Sequence, residues 1–257
     1  MESDLQLALR MADIADAIAL ERFRAQDLKV ETKADSSPVT DADRAVELSL
    51  KQILAEERPD DALIGEEFGT KAGGNRTWII DPIDGTANFM RGVPVWGALI
   101  ALAVDGKPVV GVVSAPALGR RWWAAQGSAA QTRDVDGSVR DIRVSDVADL
   151  QHASLSYNNL QLWDRAGYLN QLVELSRKIW RTRAYGDFFS YMLLAEGTLD
   201  IVAEHDLKIY DIAALVPIVE AAGGKLTGFS GPLTDETSSV LATNAKLHAQ
   251  VTAELAR

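Results

Sequence analysis

Four acidic positions, Glu66, Asp81, Asp84 and Asp211, stand where a chain could do chemistry. Asp81 and Asp84 end the apolar run Trp78-Ile79-Ile80, which reads as a short buried strand, and Pro82 stiffens the turn between them. Gly85 follows, where backbone can approach a ligand closely. Thr86 is suited to open a helical turn whose free N–H groups point out of this corner. Glu66 follows a strand expected over residues 62–64 and a glycine; Asp211 opens a helix expected over 212–222, where an N-cap is its plainest role. Carboxylates held together repel unless protons or cations neutralise them. Hard oxygen ligands beside an amide-lined pocket suit Mg²⁺, which reaches a phosphate as well. Asp, Pro, Gly and Thr are equally the residues of an ordinary capped strand–loop–helix turn, and spacing alone weighs the two readings evenly.

The elements that would hold these acids follow from the apolar pattern. Leu5, Leu9, Ile14, Ile18 and Phe23 recur at helical spacing over residues 4–24. Residues 30–33 read as an edge strand and Asp35-Ser36-Ser37-Pro38 as a turn. Thr40 then caps a helix carrying Val46, Leu50, Ile53 and Leu54 inward, with Asp43 placed to reach back to the cap. The small, polar segment 69–75 reads as a mobile surface loop beside Glu66. Strands over 95–103 and 109–113 flank the hairpin signal Asp105-Gly106, and residues 120–125 with a turn at Asp136-Gly137 continue the sheet. Trp122 and Trp123, adjacent in a strand, must face opposite sides. From Ser145 the texture changes to alternation, with strands near 153–156, 179–183, 201–203 and 240–242 and helices near 161–177, 187–195, 212–222 and 245–255. No linker divides the chain, so residues 1–143, an α+β half, and 144–257, an α/β half, are expected as one compact unit sharing a cleft.

Composition excludes several function classes. The 257 residues, 47% hydrophobic and 25% charged, suit an ordinary globular protein with a substantial core. The formal net charge of −11, from 37 acids against 26 bases, disfavours nucleic acid and anionic lipid as partners. No apolar run is long enough to span a bilayer, and the N-terminus lacks the basic start and apolar core of a secretory signal, so the cytoplasm is the expected compartment. With no cysteine there is no disulfide or thiolate site. His152, His205 and His248, the three histidines, leave little for a zinc site or a Ser-His-Asp triad and read as surface or helix-end residues.

The string Asp81-Pro82-Ile83-Asp84-Gly85-Thr86-Ala87-Asn88-Phe89 resembles the signature of the inositol monophosphatase family, Mg²⁺-dependent phosphatases that share a fold with fructose-1,6-bisphosphatase. Gly65-Glu66-Glu67 and Asp211-Ile212-Ala213-Ala214 are similar to two further motifs of that family, with Tyr210 where the family usually has tryptophan. The resemblance implies an α/β (α+β) layered α-β-α-β-α sandwich. It implies two or three Mg²⁺ per site, held by Glu66, Asp81, the carbonyl of Ile83, Asp84 and Asp211. Val39-Thr40-Asp41-Ala42-Asp43 resembles the family's early element, which implies that Asp43 and Thr86 orient and deprotonate the attacking water beside Glu66. Amides around Gly85, Thr86 and Ala87 would receive the phosphoryl oxygens, and attack would be in line.

The second half bears on which phosphate monoester is cleaved. Residues 181–191 with Ala195-Glu196-Gly197, residues 91–96, and Ser114-Ala115-Pro116-Ala117-Leu118 look like the histidinol-phosphatase branch of the family. That resemblance implies a histidine-biosynthetic phosphomonoesterase acting on histidinol phosphate; an inositol-1-phosphatase or a broad sugar-phosphate phosphatase is the alternative. Gly186, Asp187 and Glu204 match substrate-contacting positions of the family, and Arg183 would steady the phosphate or the acids. A substrate bearing an ammonium and an imidazole calls for such acids. Family members are commonly homodimers, and the apolar residues from Val93 to Trp96 would serve such a contact.

Overall fold

In the computed structural model the described residues are 3–34 and 37–256; Asp35 and Ser36 of the expected turn lie outside them. Two antiparallel helices, Asp4–Arg22 and Asp41–Glu57, make one outer layer. They cover an eight-stranded sheet, counted over the described residues, in the order Val139–Asp141, Gln131–Arg133, Arg120–Ala125, Lys107–Ala115, Gly97–Val104, Arg76–Asp84, Ala62–Gly65, Gly69–Lys71. A middle layer holds helices Asp187–Ala195 and Leu215–Ala221. Next comes a five-stranded sheet in the order Arg181–Arg183, Ser154–Tyr157, Ile201–His205, Ser239–Thr243, Lys225–Gly228. Helices Leu160–Arg165, Leu169–Ser176 and His248–Leu255 close the far side. The architecture is the expected α-β-α-β-α sandwich.

Strict alternation along the strands builds these layers, because successive side chains leave a strand on opposite faces. Trp78, Ile80, Ile100, Leu102 and Val112 pack against the outer helices, while Ile79, Leu99, Ala101 and Val113 face the middle helices. In the smaller sheet Val202, Val240 and Ala242 turn to the middle layer, and Ile201, Ala203 and Leu241 to the far helices. Trp122 and Trp123 divide in the same way, the first fully buried and the second half-buried.

Several sequence expectations are corrected. The strand expected to stop at Ile80 runs from Arg76 through Asp84, and its register against Gly97–Val104 shifts between Asp81 and Asp84. That irregularity accommodates Pro82, which has no N–H for a ladder. Segment 69–75 is not all loop, since Gly69–Lys71 pairs with Ala62–Gly65. The helix expected over 161–177 is two helices broken at Gly167, whose φ of 74° suits glycine. Asp211 lies within the short helix Ile209–Ile212 rather than opening a long one, and a separate helix begins at Leu215. Strand Lys225–Gly228 was not anticipated. His205 is no surface residue: it is buried in a strand among Trp163, Tyr168 and Phe229. Trp96 is equally buried, edge-on to Phe89 and beside Phe23, so it belongs to the core and not to an outer contact face.

One buried charge ties the outer helix to the sheet. Arg121 is 4% exposed and bonds Asp16 Oδ2 at 2.7 Å and Ser114 Oγ at 2.9 Å. Removing one partner of a buried pair strands the other, at a cost of about 3–5 kcal/mol, whereas an exposed bridge contributes about 0–1 kcal/mol. Arg121→Ala is therefore expected to lower the urea midpoint strongly. Arg44→Ala, which breaks the exposed contact with Glu31, should leave it nearly unchanged. Equal effects in urea unfolding would contradict this ranking.

Candidate active site

Asp81 and Asp84 flank the irregularity at the end of strand Arg76–Asp84: Asp81 pairs with Leu99 and Asp84 with Gly97, and the register slips between them. Asp81 Oδ1 accepts the Ile83 N–H at 3.0 Å, a local turn across Pro82. Asp84 Oδ2 accepts the Phe188 N–H at 2.6 Å, from the first turn of helix Asp187–Ala195. Asp211 Oδ2 accepts the Lys208 N–H at 2.6 Å. One oxygen of each carboxylate is thus held by backbone. Carboxylate oxygens of the three aspartates lie within 4.8 Å of one another.

Electrostatics make this grouping costly as it stands. Burial, together with Glu66, Asp84 and Asp211 nearby, pushes the Asp81 carboxyl well above its ordinary range. Burial and the charges of Asp187 and Asp211 raise Asp84. Burial above all brings Asp211 to about 7. Glu66 belongs to the same field, but its Oε1 lies 2.7 Å from Lys33 Nζ, which also reaches Glu67 Oε1 at 2.6 Å. Burial works to lower the Lys33 pKa, and the two carboxylates outweigh it. An ammonium thus already stands beside part of the acid group. Clustered hard oxygens with surplus negative charge fit a divalent cation such as Mg²⁺.

Beside the aspartates, the Thr86 hydroxyl lies 3.1 Å from Asp43 Oδ1 and 3.0 Å from the Ile83 carbonyl. Asp43 is fully buried, and its other oxygen closes the cap of helix Asp41–Glu57 by accepting the Thr40 N–H at 2.8 Å. One carboxylate therefore ends a helix and holds Thr86. Gly85, at φ 86°, makes the corner before helix Thr86–Met90, where a Cβ would come within 3.0 Å of the Val95 carbonyl. The first amides of that helix have no partner within it.

A cleft of about 220 Å³ opens from Asp84 and Asp211 toward Asp187, Glu204 and Asn158. Glu204 is 1% exposed, and burial with the Asp187 charge holds its pKa well above normal. Asp187, raised by burial to about 6, has a left-handed backbone at φ 51°, which costs a non-glycine residue about 1 kcal/mol. Asn88 Nδ2 steadies it at 3.1 Å. Gly186 immediately precedes it at φ 87°. Arg183 does not join this group: it is exposed, and its guanidinium donates to the Thr182 carbonyl. Asn158, Lys33 and Asn88 had no predicted role. Asn158 donates to the His205 carbonyl at 2.7 Å, which leaves its buried Oδ1 as an unused acceptor. Its neighbour Asn159 caps a helix, and the sequence offers no sign of which asparagine does which. A larger cavity, about 1170 Å³, lies elsewhere, between Lys107–Ala115 and His248–Leu255, and contains none of these acids.

The model of the inositol monophosphatase family matches residues 1–257. A histidinol-phosphatase of Mycobacterium tuberculosis is 52% identical over 254 residues, covering 98% of this chain and 97% of that protein. A histidinol-phosphatase of Streptomyces coelicolor is 49% identical, covering 95% and 94%. Among solved structures, an inositol monophosphatase from Zymomonas mobilis superposes with a TM-score of 0.86 at 36% identity, covering 98% of this chain and 97% of that one. With a family model matched from end to end and the fold shared as a whole, this chain belongs to the inositol monophosphatase family.

Proposed function

We propose that this protein is a Mg²⁺-dependent phosphomonoesterase that releases phosphate from L-histidinol phosphate. The observation that carries the reading is the cleft next to the aspartates: Glu204, Asp187 and the free Oδ1 of Asn158 offer acceptors, and among the described residues no Lys or Arg lines it. Such a wall suits a leaving group bearing an ammonium and a protonatable imidazole better than a neutral polyol. The two histidinol-phosphatases at 52% and 49% identity support the same assignment.

Glu66, Asp81, Asp84 and Asp211, with the Ile83 carbonyl, would hold two or three Mg²⁺. Bound there, Mg²⁺ supplies charge neutralisation and Lewis acidity to the phosphoryl group and its attacking water. Asp43 accepts the hydrogen bond of the Thr86 hydroxyl, so Thr86 Oγ1 keeps a lone pair aimed at the water and orients it for in-line attack. The amides of Gly85, Thr86 and Ala87 receive phosphoryl oxygens. Glu204 and Asp187 bind the cationic end of the substrate and fix its ester oxygen near Asp84 and Asp211. Membership of the family supports a homodimer as the assembly.

Phosphate release from histidinol phosphate and inositol 1-phosphate, measured side by side with Mg²⁺ and with chelator, tests the reading. The former is expected to be the better substrate, and a clear preference for inositol phosphate overturns it. Asp84→Asn keeps an acceptor for the Phe188 N–H and should fold, yet lose several kcal/mol of transition-state stabilisation, about a thousandfold in kcat. Near-normal turnover would remove Asp84 from the metal site. Without metal, acids whose folded pKa is raised bind more protons folded than unfolded, so stability falls as pH rises from their ordinary range through about 7. Mg²⁺ should therefore raise the melting temperature more at pH 8 than at pH 6, and its binding near pH 6.5 should release protons, read by calorimetry in buffers of different ionisation enthalpy.

A further inference from the structure

Glu47 has no part in the chemistry described above, yet it is a fully buried carboxylate beside the site. It lies four residues after Asp43 on helix Asp41–Glu57, so the two acids leave the same face of the helix. Asp43 reaches Thr86; Glu47 reaches the backbone on the other side of the acid cluster. Its Oε2 accepts the Glu67 N–H at 2.7 Å and its Oε1 the Phe68 N–H at 2.9 Å. These are the two peptide groups that directly follow Glu66. The segment needs such a hold, because strand Ala62–Gly65 ends just before it and strand Gly69–Lys71 begins just after. Gly65 completes the seat: a Cβ there would lie 1.9 Å from Glu47 Oε1, so the carboxylate occupies the space a side chain would need. Burying a charge costs more than filling the same space with apolar atoms, and holding a turn together does not by itself require one. Two charge-assisted bonds to consecutive amides do fix a backbone in one conformation.

We propose that Glu47 is a positioning residue that aims the Glu66 carboxylate toward Asp81 and thereby sets the affinity of the protein for Mg²⁺. The inference rests on the assignment of Glu66 to the cation made above. Helix Asp41–Glu57 then acts as a single rigid jig, with one arm holding Thr86 and the other the Glu66 turn. Glu47→Gln keeps the size of the side chain but sets an NH₂ group against an amide donor. Groups that orient metal ligands typically change metal affinity about 10- to 100-fold when removed. Titration of the purified full-length protein with MgCl₂, followed by calorimetry and by the rise in melting temperature, is expected to give a Mg²⁺ dissociation constant at least about tenfold weaker than wild type. Turnover should recover toward wild type at saturating Mg²⁺, with KM for the phosphate ester unchanged. A purely structural role would lower the metal-free melting temperature and leave the Mg²⁺ affinity where it was, and that result overturns the proposal. Should Glu47→Gln fail to fold, Glu47→Asp, which keeps the charge and withdraws it from the amides, is judged by the same criterion. Glu66→Gln separates the two levels. If it leaves Mg²⁺ affinity intact, the metal assignment fails; if it weakens binding while the Glu47 variants do not, only the positioning role is lost.

Discussion

Mutual repulsion among clustered carboxylates is the constraint around which this structure is built. Asp81, Asp84 and Asp211 bring oxygens within 4.8 Å of one another, Asp81 buried and the other two half-buried at the floor of the cleft. Left to relax, such side chains would swing apart. The fold prevents this by the same device three times: a backbone N–H, from Ile83, Phe188 or Lys208, captures one oxygen of each carboxylate. The remaining oxygens and the surplus charge are left for a counter-ion. Lys33 beside Glu66 and Glu67 answers the same field from within the chain.

The layers supply the stiffness that this device requires. Asp81 and Asp84 come from an irregularity in the larger sheet, Phe188 from a helix of the middle layer, and Glu204 from the smaller sheet. Each sheet is gripped on both faces by apolar residues, so none of these elements can shift without disturbing two interfaces. Side-chain alternation also sorts neighbours to different purposes. Glu204 faces the acid cleft, while His205, next in the strand, enters an aromatic cluster with Trp163, Tyr168 and Phe229 on the opposite face. Asp187 sits in a strained left-handed conformation at the meeting point of the layers, as functional positions often do.

Much of this was legible from local pattern. Helix Asp41–Glu57 with its Thr40 cap, the alternating strands through Val112, and the run from Asp81 to Phe89 follow from spacing and residue type, which act over a few neighbours. Errors fell where a long-range partner decided the outcome. Residues 69–71 form a strand because Ala62–Gly65 is there to pair with them, and the strand through Asp81 continues past a proline because the register against Gly97–Val104 can slip. His205 looked like a surface residue because nothing local announces the three aromatic rings that enclose it.

Alone, then, the sequence determined the kinds of groups available: hard oxygen donors, an excess of negative charge, no thiols, and glycines where backbone must turn or come close. Family membership was likewise written in contiguous motifs. Which acids meet, which of two adjacent asparagines caps a helix and which keeps an unused acceptor, that Arg183 stays outside the cleft and that Glu47 reaches the Glu66 turn were decided only by tertiary structure. The reason is physical: repulsion, burial and hydrogen bonding act through distance in space, and Glu47 is 20 positions from Glu67, Asp84 104 from Phe188 and 127 from Asp211 along the chain.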